Sequence, residues 1–585
     1  MSKNKKINYS ELKPIIIKYL QDQKKSVFLL TLVIFVTMGL QLMSPQIIRA
    51  FIDSIIEGAS KDKLYMLALF FIGISLMQQL LAVASTYLSQ NIGWKATNRL
   101  RTDLARHCLN LDMSFHKEHL PGELIERIDG DVTTLMNLFS NFMITILGNI
   151  LLLSGVLVVL FYEDWRIGLS ISLFSIVSMI FLLKISTIAV PYWKKVRAIS
   201  SDFYGFLGEH ISNREDVQSS GAKEYIFYKF HNFLKSWYSK EKKAGLLGYS
   251  MWTSSVFVFA LGTMISFGLG GYLWQKGIIT LGTVYLIFNY TELIRRPLEQ
   301  IRMQLEDLQK AGAGINRINE LLDISSKIKY ENSNELSKES CHLSFENVDF
   351  GYEEEQKVLT NLSFELQAGE VMGLLGRTGS GKTTIGRLLL RLYDKKGGKI
   401  LFDGKDIKNI SQKSLRSHVA IVTQDVELFY GTIRDNLTFF NSDVGDDRII
   451  SAFKTLGLYD WFQQLEQGLD TVIQSNNSGL SAGEAQLLAF VRILLREPGL
   501  IILDEASSML DPATEVLLEK AIKNLLKNRT AIIIAHRLQT VEQTDKILIL
   551  EDGRGVEYGE RENLLMDKKS KYNQLLKVGL EEVLV

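Results

Sequence analysis

Cysteine and proline are scarce in this chain of 585 residues. The 2 cysteines, Cys108 and Cys341, lie far apart in the sequence. They provide neither a disulfide framework nor the spacing of a zinc site, which suits soluble parts that face a reducing compartment. The 7 prolines leave long stretches without a helix breaker, and residues 193–249 contain none. We therefore expect long, uninterrupted helices.

An excess of charge of one sign is also missing. Lysine and arginine number 66 and aspartate and glutamate 65, so the formal net charge is +1. A balance of this kind gives no global attraction to nucleic acid, which we do not expect as a partner. The average composition covers two unlike parts of the chain, because nearly all long uncharged runs lie before residue 300.

Six segments in this first part are apolar enough to predict membrane-spanning helices. The first, residues 26–48, contains no charged residue and exceeds the roughly 20 residues that a bilayer requires. The others are residues 64–91, 138–162, 167–183, a part of 244–275, and a segment that begins at 278. The sixth is interrupted by Glu292, Arg295 and Arg296. The fold prediction is therefore a polytopic α-helical transmembrane domain with the lipid bilayer as a partner.

Lysine and arginine placement predicts the orientation. Lysines are frequent before residue 26, and the long connections after the second and fourth spans are basic, whereas the connections near residues 58, 164 and 277 are short. The N-terminus, both long connections and the C-terminus are therefore expected to be cytoplasmic. Each long connection is predicted to be a pair of helices that extend past the membrane and join at a short turn, at residues 111–119 and 212–221.

The sequence predicts four regions. Residues 1–25 form an N-terminal segment, in which 11–20 is either an interfacial helix or a plain polar leader. Residues 26–310 form the transmembrane domain, and 311–340 are predicted to be a linker. In residues 341–585, apolar strands alternate with helical segments, which indicates an α/β domain with a mainly parallel core sheet.

Residues 371–390 carry the most informative motif. A predicted strand is followed by a glycine-rich loop that ends in Lys-Thr, and then by a predicted helix. Such a P-loop turns backbone N–H groups onto a phosphate, and the helix dipole adds to the attraction. Lys382 is expected to reach the β- and γ-phosphates, and Thr383 to hold Mg²⁺; a glycine-rich turn without a ligand is the alternative. The residues expected to bind the phosphates are Gly376, Arg377, Thr378, Gly379, Ser380, Gly381, Lys382, Thr383 and Thr384.

Two further apolar runs end in residues that suit phosphate chemistry. The run 499–503 is followed by Asp504 and Glu505, at the strand end where open α/β sheets bind ligands. Asp504 is predicted to coordinate Mg²⁺, and Glu505 to polarise the water that attacks a γ-phosphate. The run 530–535 ends in His536, which is predicted to contact the γ-phosphate. Acids that merely end a strand are the alternative, which the upstream P-loop makes weaker.

In this order, the motifs make residues 344–565 resemble the nucleotide-binding domain of an ATP-binding cassette (ABC) transporter. Tyr352 matches the aromatic residue that stacks on adenine, and Gln424 matches the glutamine that joins the Mg²⁺ site to the membrane domain. Ser481 and Gly483 lie in a sequence similar to the signature loop, and Asp511 closes a sequence similar to the D-loop. Fused to six spans, this domain resembles the exporter type of half-transporter.

The resemblance implies ATP and Mg²⁺ as cofactors and a second half-transporter chain as partner. In the family each ATP lies between the P-loop of one domain and the signature of the other, so Ser481 and Gly483 would serve the partner's nucleotide. The signature departs from the usual pattern at Ala482, Glu484 and Leu487. Residues 474–478 lack the acidic residue that exporters of the family often use to contact the cytoplasmic turns of the membrane domain. Both a homodimer and a heterodimer with a similar chain stay open.

The function expected from the resemblance is ATP-driven export across a bacterial plasma membrane, with hydrolysis at the interface of two nucleotide-binding domains. An ATP-gated regulator or channel that moves no cargo is the alternative, and ATP-dependent transport in vesicles would separate the two. A soluble ATPase is a third class, which the uncharged spans oppose. The cargo, whether a small molecule, lipid or peptide, is not identified. Polar residues in or near the spans have two interpretations, a cargo cavity or helix–helix hydrogen bonds; they are Gln41, Gln46, Gln78, Gln79, Asn289 and Glu292.

Overall fold

The computed structural model describes residues 14, 17–330, 334–336, 341–353, 355–441, 443–474, 480–504, 512–535 and 541–578. The chain divides into two compact units. The first comprises Met1–Leu109 and Pro121–Ile324, and the second comprises Asn110–Leu120 and Ser325–Val585. The predicted turn at 111–119 therefore belongs to the second unit.

Long helices make up the first unit. They are α1 (Lys24–Ile56), α2 (Lys61–Asn110), α4 (Pro121–Glu163), α5 (Trp165–Ser212), α7 (Lys223–Gln275) and α8 (Leu281–Asp323), with the short helix α6 (Arg214–Ser219) between α5 and α7. Two π-helical stretches, Glu126–Asp131 and Met143–Leu147, interrupt α4. The short helix α6 lies within the predicted turn 212–221, and the helices flanking it continue well beyond the apolar runs.

Local sequence explains where these helices begin and end. The side chain of Asp164 accepts a hydrogen bond from Arg166 N and caps α5, and Thr280 caps α8 in the same way through Thr283 N. Gly58 and Gly277 adopt φ values of +73° and +70°, which only glycine reaches without strain, just after α1 and α7. These positions match the short connections predicted near residues 58, 164 and 277.

Five helices among the described residues are long and apolar enough to cross a membrane: Ile17–Ile56, Lys61–Asn110, Pro121–Glu163, Trp165–Ser212 and Lys223–Gln275. α8 packs against α1, α4 and α7, and the charged residues at 292, 295 and 296 keep it outside that group. α8 also continues through residues 311–323, so it extends into the segment that the sequence predicted as a linker. The proposed interfacial helix at 11–20 falls largely outside the described residues.

The second unit contains two main sheets. The first is β12-β11-β3-β10-β9-β6, parallel except for the antiparallel edge strand β12, and the second is the antiparallel β2-β1-β4-β5. The strands are β1 (Leu343–Phe350), β2 (Leu359–Leu366), β3 (Val371–Gly376), β4 (Gly397–Phe402), β5 (Lys405–Asp406), β6 (Val419–Val422), β7 (Gly431–Thr432), β8 (Val472–Ile473), β9 (Leu500–Asp504), β10 (Thr530–Ile534), β11 (Lys546–Glu551) and β12 (Arg554–Glu560). The predicted α/β domain with a mainly parallel core sheet is confirmed.

Helices cover this sheet and create its core. They are α9 (Lys382–Leu389), α10 (Gln412–His418), α11 (Ile433–Thr438), α12 (Asp446–Leu456), α13 (Tyr459–Phe462), α14 (Ala482–Arg496), α15 (Pro512–Leu526), α16 (Arg561–Met566) and α17 (Lys571–Val578), while α3 (Met113–Glu118) precedes them in the chain. β3 and β10 are buried along their whole length. Strands buried in this way explain the continuous apolar runs seen in the sequence.

Candidate nucleotide-binding site

The loop between β3 and α9 has the geometry of a phosphate cradle. Gly376, Gly379 and Gly381 adopt φ values of +150°, +84° and +104°. A Cβ on Gly376 would lie 2.3 Å from the carbonyl oxygen of Leu550, and one on Gly381 would lie 2.7 Å from Leu359 Cδ2. The loop therefore needs glycine at these positions, and α9 begins directly after it with its N–H groups at the helix N-terminus.

Lys382 lies folded back over this loop. Its Nζ donates hydrogen bonds to the carbonyl oxygens of Gly376 and Arg377, the latter at 3.1 Å. The side chain is buried, and burial lowers the pKa of Lys382 below its ordinary value, an effect that the Asp504 carboxylate partly offsets. A buried ammonium group held by neutral carbonyl groups is prepared to pair with a phosphate.

Two of the residues predicted to bind magnesium, Thr383 and Asp504, are in contact at the carboxyl edge of the parallel sheet. Asp504 ends β9, and its Oδ2 accepts a hydrogen bond from Thr383 Oγ1 at 3.4 Å. β6 ends at Val422, beside Leu503 of β9, so the exposed Gln424 follows the same edge. These oxygen donors suit Mg²⁺, which typically combines one or two protein oxygens with waters and phosphate oxygens.

One polar atom in the loop fits a phosphate ligand independently. Ser380 is 5 % exposed, and its Oγ makes no hydrogen bond in the described part of the chain. Buried hydroxyl groups normally have a partner, so this one is satisfied best by a bound ligand. The loop residues therefore fit ATP with Mg²⁺.

Tyr352 lies beside the start of α9. Its hydroxyl is 3.1 Å from Thr384 Oγ1 and accepts a hydrogen bond from Arg387 Nη1 at 2.9 Å. Within the same unit, the ammonium group of Lys117 in α3 lies 5.4 Å from the centre of the Tyr352 ring. The sequence did not single out Lys117 or Arg387, because neither lies in a phosphate-binding motif.

The signature residues lie at the start of α14. Ser481 is the N-cap, its Oγ accepts a hydrogen bond from Glu484 N, and Glu484 Oε2 accepts one from Ser481 N at 2.7 Å. Trp461 Nε1 donates to the other oxygen of Glu484 at 3.2 Å. Gly483 is buried in the first turn. Among the hydrogen bonds of the described residues, none joins Ser481 or Gly483 to the P-loop. Glu505, Asp511 and His536 lie outside the described residues.

Comparison with known proteins identifies the family. The family model described as "ABC transporter transmembrane region" matches residues 27–298, and the one described as "ABC transporter" matches residues 359–508. The chain belongs to the ABC transporter family. The fused arrangement is that of an exporter half-transporter, so the resemblance drawn from the sequence is confirmed.

Relatives of this ABC exporter cover nearly its whole length. It is 31% identical over 561 residues to "Uncharacterized ABC transporter ATP-binding protein YfiC" of Bacillus subtilis, covering 94% of this chain and 91% of the relative. It is also 31% identical over 544 residues to "ATP-dependent lipid A-core flippase" of Francisella tularensis, covering 90% and 87%. A solved "bacterial Atm1-family ABC exporter with ATP bound" superposes with a TM-score of 0.78 at 25% identity, covering 96% of this chain and 98% of the other.

Membership fixes several properties of this ABC exporter. It binds and hydrolyses ATP in support of transport, and it is a multi-pass membrane protein. As a half-transporter it works with another chain.

Proposed function

We propose that two chains of this kind export a cargo across the plasma membrane by alternating access, with ATP held between their nucleotide-binding domains. The observation that carries the proposal is the pairing of Thr383 with Asp504 at 3.4 Å beside a glycine loop, in a chain that also has membrane-spanning helices. An ATP site fused to spans is what ATP-driven transport requires.

Each residue of the proposed site has a proposed role, which rests on its chemistry or, for Tyr352 and Gln424, on the family resemblance. The N–H groups of residues 376–381 and the ammonium group of Lys382 hold the phosphates, and Thr383, Gln424 and Asp504 hold Mg²⁺. Mg²⁺ held by these residues would neutralise charge on the phosphate oxygens. Tyr352 stacks on adenine. Glu505 accepts a proton from the attacking water, and His536 donates to the γ-phosphate.

The signature loop motivates the dimer. Each chain supplies one P-loop and one signature, and the P-loop of one would face Ser481 and Gly483 of the other. Those residues then donate to the partner's γ-phosphate from the N-terminus of α14, and Asp511 helps to close the interface. ATP would hold the two domains together, and hydrolysis would release them.

The turn around residues 111–119 is the proposed relay to the membrane helices. Asp112 caps α3 through Phe115 N, and it also accepts a hydrogen bond from Lys327 N at 2.7 Å. Burial raises the pKa of Asp112, but hydrogen bonds from Ser114 and from the Lys327 backbone outweigh it, so the pKa lies below its ordinary value. The relay therefore stays anionic and docked at neutral pH.

Mg-ATPase activity of the purified chain in lipid nanodiscs tests the proposal. Glu505→Gln should bind ATP and lose turnover, whereas Lys63→Gln, an exposed residue at the start of α2, should retain the wild-type rate. Undiminished hydrolysis in Glu505→Gln would remove the assigned role of Glu505. ATP binding without turnover in the wild-type chain would indicate a heterodimer with a second chain.

Transport in vesicles separates export from the regulator alternative. The relatives named as flippases support movement of a cargo. If the chain hydrolyses ATP and changes membrane conductance but concentrates no compound in inverted vesicles, the regulator interpretation replaces export. Inverted vesicles also test the orientation, because externally added ATP drives transport only when the nucleotide-binding domains face outward in them.

A further inference from the structure

One face of α8 is polar and only partly covered by its neighbours. Residues that recur every three or four positions along a helix share a face, and on α8 such a set is exposed or half-exposed, although Gln300 within it accepts a hydrogen bond from Asn149 of α4 at 2.9 Å. The set consists of Tyr285, Asn289, Glu292, Arg296, Gln300 and Met303. We call this set the polar face.

The depth of the polar face in the membrane decides what it contacts. At 1.5 Å per residue, Glu292 lies roughly 16 Å and Arg296 roughly 22 Å from the start of α8, and both lie inside the residues 27–298 that match the ABC transporter transmembrane region. A charged residue facing lipid at the centre of a helix costs about 2.5–3.5 kcal/mol. Two such costs on one face are avoided if the polar face lines a water-filled cavity.

Neighbouring charges on α8 are already satisfied by the helix bundle. Arg295 Nε is 3.5 Å from Glu299 Oε1, and its guanidinium lies 5.4 Å from the centre of the Phe259 ring on α7. Ser255 of α7 donates to Glu299 at 3.1 Å. These residues belong to the packing of α7 against α8, and they leave Glu292 and Arg296 as the charges of the polar face.

Glu292 and Arg296 each have unused capacity. Glu292 accepts a hydrogen bond from Thr263 at 3.0 Å. The side chains of Glu292 and Arg296 are both exposed. Among the ion pairs of the described residues, none includes Arg296 or joins it to Glu292, although the two are one turn apart. Positions i and i+4 of a helix place Cβ atoms about 6 Å apart, so the polar face presents an anion and a cation at a fixed short spacing.

Aromatic surface borders this charge pair on the side of the N-terminus of α8. Phe288, one turn before Glu292, stacks on Phe267 of α7 with ring centres 4.9 Å apart. Phe267 is 50% exposed, and Tyr285 lies half-exposed one turn further. An apolar chain could lie against these rings while its headgroup contacts the charges.

We propose that the polar face of α8 is a binding site for a zwitterionic amphiphile, with Arg296 on the anionic group, Glu292 on the cationic group and the Phe288–Phe267 pair along the tail. The assignment rests on the proposed export function, of which it names the cargo class. A purely cationic or purely anionic amphiphile would contact only one of the two charges, and would therefore form one charge-assisted contact fewer than a zwitterionic one.

Binding of tail-labelled fluorescent lysophosphatidylcholine tests the proposal, with the full-length chain in maltoside micelles and no ATP. Two probes with the same tail are compared, one with a phosphate headgroup and one with a trimethylammonium headgroup. Wild type should bind the zwitterionic probe most tightly. Arg296→Gln should weaken the zwitterionic and anionic probes roughly tenfold, as expected for losing a charged hydrogen bond, and spare the cationic probe. Glu292→Gln should weaken the zwitterionic and cationic probes and spare the anionic one.

Controls exclude effects on folding and on the apolar tail. Arg296→Lys keeps the charge and should restore most of the affinity for the anionic headgroup, and Lys63→Gln should bind every probe as wild type does. Equal affinity of wild type for the three probes overturns the proposal. Competition by tail-free phosphocholine at the same concentration as the lysolipid also overturns it, because the aromatic pair would then contribute nothing.

A second copy of this chain is the rival occupant of the polar face. In that case Glu292→Gln and Arg296→Gln would each weaken the dimer, and the exchange Glu292→Arg with Arg296→Glu would restore it; this result overturns the proposal. Failure of the proposed export function can be distinguished from failure of the proposed binding site, since binding is measured without ATP. Selective binding without ATP-driven movement would remove the export function, whereas movement of a cargo with unselective binding would remove only the cargo assignment.

Discussion

The carboxylate of Asp53 joins the end of α1 to the start of α8, where its Oδ1 accepts a hydrogen bond from Gly282 N at 2.9 Å. Its Oδ2 accepts a second hydrogen bond from Thr280 Oγ1 at 2.8 Å. Arg49 lies beside Asp53 and also pairs with Glu163 at the end of α4. The Asp53 carboxylate thus satisfies one free N–H group at the start of α8, and together with Arg49 it ties three helices together at one end of the first unit.

Replacement of Gly282 by alanine tests how closely α1 approaches α8. A Cβ there would lie 2.7 Å from the backbone oxygen of Arg49 and 2.5 Å from Asp53 Oδ1. We expect Gly282→Ala to destabilise the membrane unit by about 1–3 kcal/mol, the usual cost of overpacking, seen as a lower thermal midpoint in detergent. Gly271→Ala is the matched control, because nothing lies within 4 Å of its Cβ position. Equal midpoints would show that the helices separate there at no cost.

Arg317 neutralises a buried carboxylate. Its Nε donates to Asp131 Oδ2 at 2.8 Å, its Nη2 bonds the other oxygen, and the Asp131 side chain is only 4% exposed. Removing one partner of a buried pair costs about 3–5 kcal/mol, but the Arg317 side chain is 49% exposed. We therefore expect Arg317→Gln to cost less, about 2 kcal/mol, and to lower the thermal midpoint.

The double variant Arg317→Gln with Asp131→Asn gives the decisive comparison for this pair. It removes the charge that the single variant leaves buried, so most of the lost midpoint should return. A double variant that is no more stable than Arg317→Gln would show that the pair is not a stabilising unit.

Lys382 should make ATP binding depend on pH. Burial lowers its pKa from the ordinary 10.5, with Asp504 partly offsetting the effect, whereas bound phosphates favour the charged amine and raise the pKa again. Between the lowered pKa of the ATP-free domain and the higher pKa of the ATP-bound domain, binding therefore takes up a proton, and affinity falls as pH rises. Between the lowered pKa and 10.5, the ATP-free domain gains stability as pH rises, because the unfolded chain binds more protons.

Calorimetry in two buffers of different ionisation enthalpy measures this proton uptake at alkaline pH. Lys382→Arg keeps its charge throughout this range, so whatever affinity it retains should be independent of pH. A wild-type affinity that stays constant up to pH 10.5 would contradict the assignment of the linked proton to Lys382.

Much of the nucleotide site could be predicted because it is local in sequence. The P-loop lies within a few residues of the end of β3, and α9 begins directly after it. Asp504 was predictable because a buried parallel strand places its last residue at the edge where ligands bind. Each of these inferences needs only the order of strand, loop and helix.

Contacts between distant helices could not be predicted in this way. Arg317 and Asp131 are 186 residues apart, and Gly282 and Asp53 are 229 apart. Their pairing depends on the rotation and offset of long helices, which apolar runs do not specify. The small residues from Ala311 to Gly314 predicted the start of a linker, but they lie within α8. Small residues at these positions let α8 approach α4, where a Cβ on Gly314 would lie 3.3 Å from Asp131 Oδ1.

Glu484 provides the final prediction, because its charge and its hydrogen bonds act in opposite directions. Its carboxylate accepts from Ser481 N and from Trp461 Nε1, which holds the signature serine in place. In the proposed dimer this same charge lies near the partner's γ-phosphate. Two like charges separated by about 4 Å in water repel each other by about 1 kcal/mol. Glu484→Gln retains an acceptor oxygen and removes the charge, so the KM for ATP should fall roughly fivefold.

Glu484→Ala separates the two effects. It also removes the charge, but it abolishes the capping box, whose loss costs about 0.5–2 kcal/mol, so ATPase activity should fall below that of Glu484→Gln. Trp461→Phe removes one donor and keeps the packing of the ring, and it should change the KM for ATP less than either variant. If Glu484→Gln and Glu484→Ala give the same KM for ATP and the same ATPase rate, hydrogen bonding by residue 484 does not position Ser481. The negative charge of Glu484 would then be its only effect on the ATPase reaction.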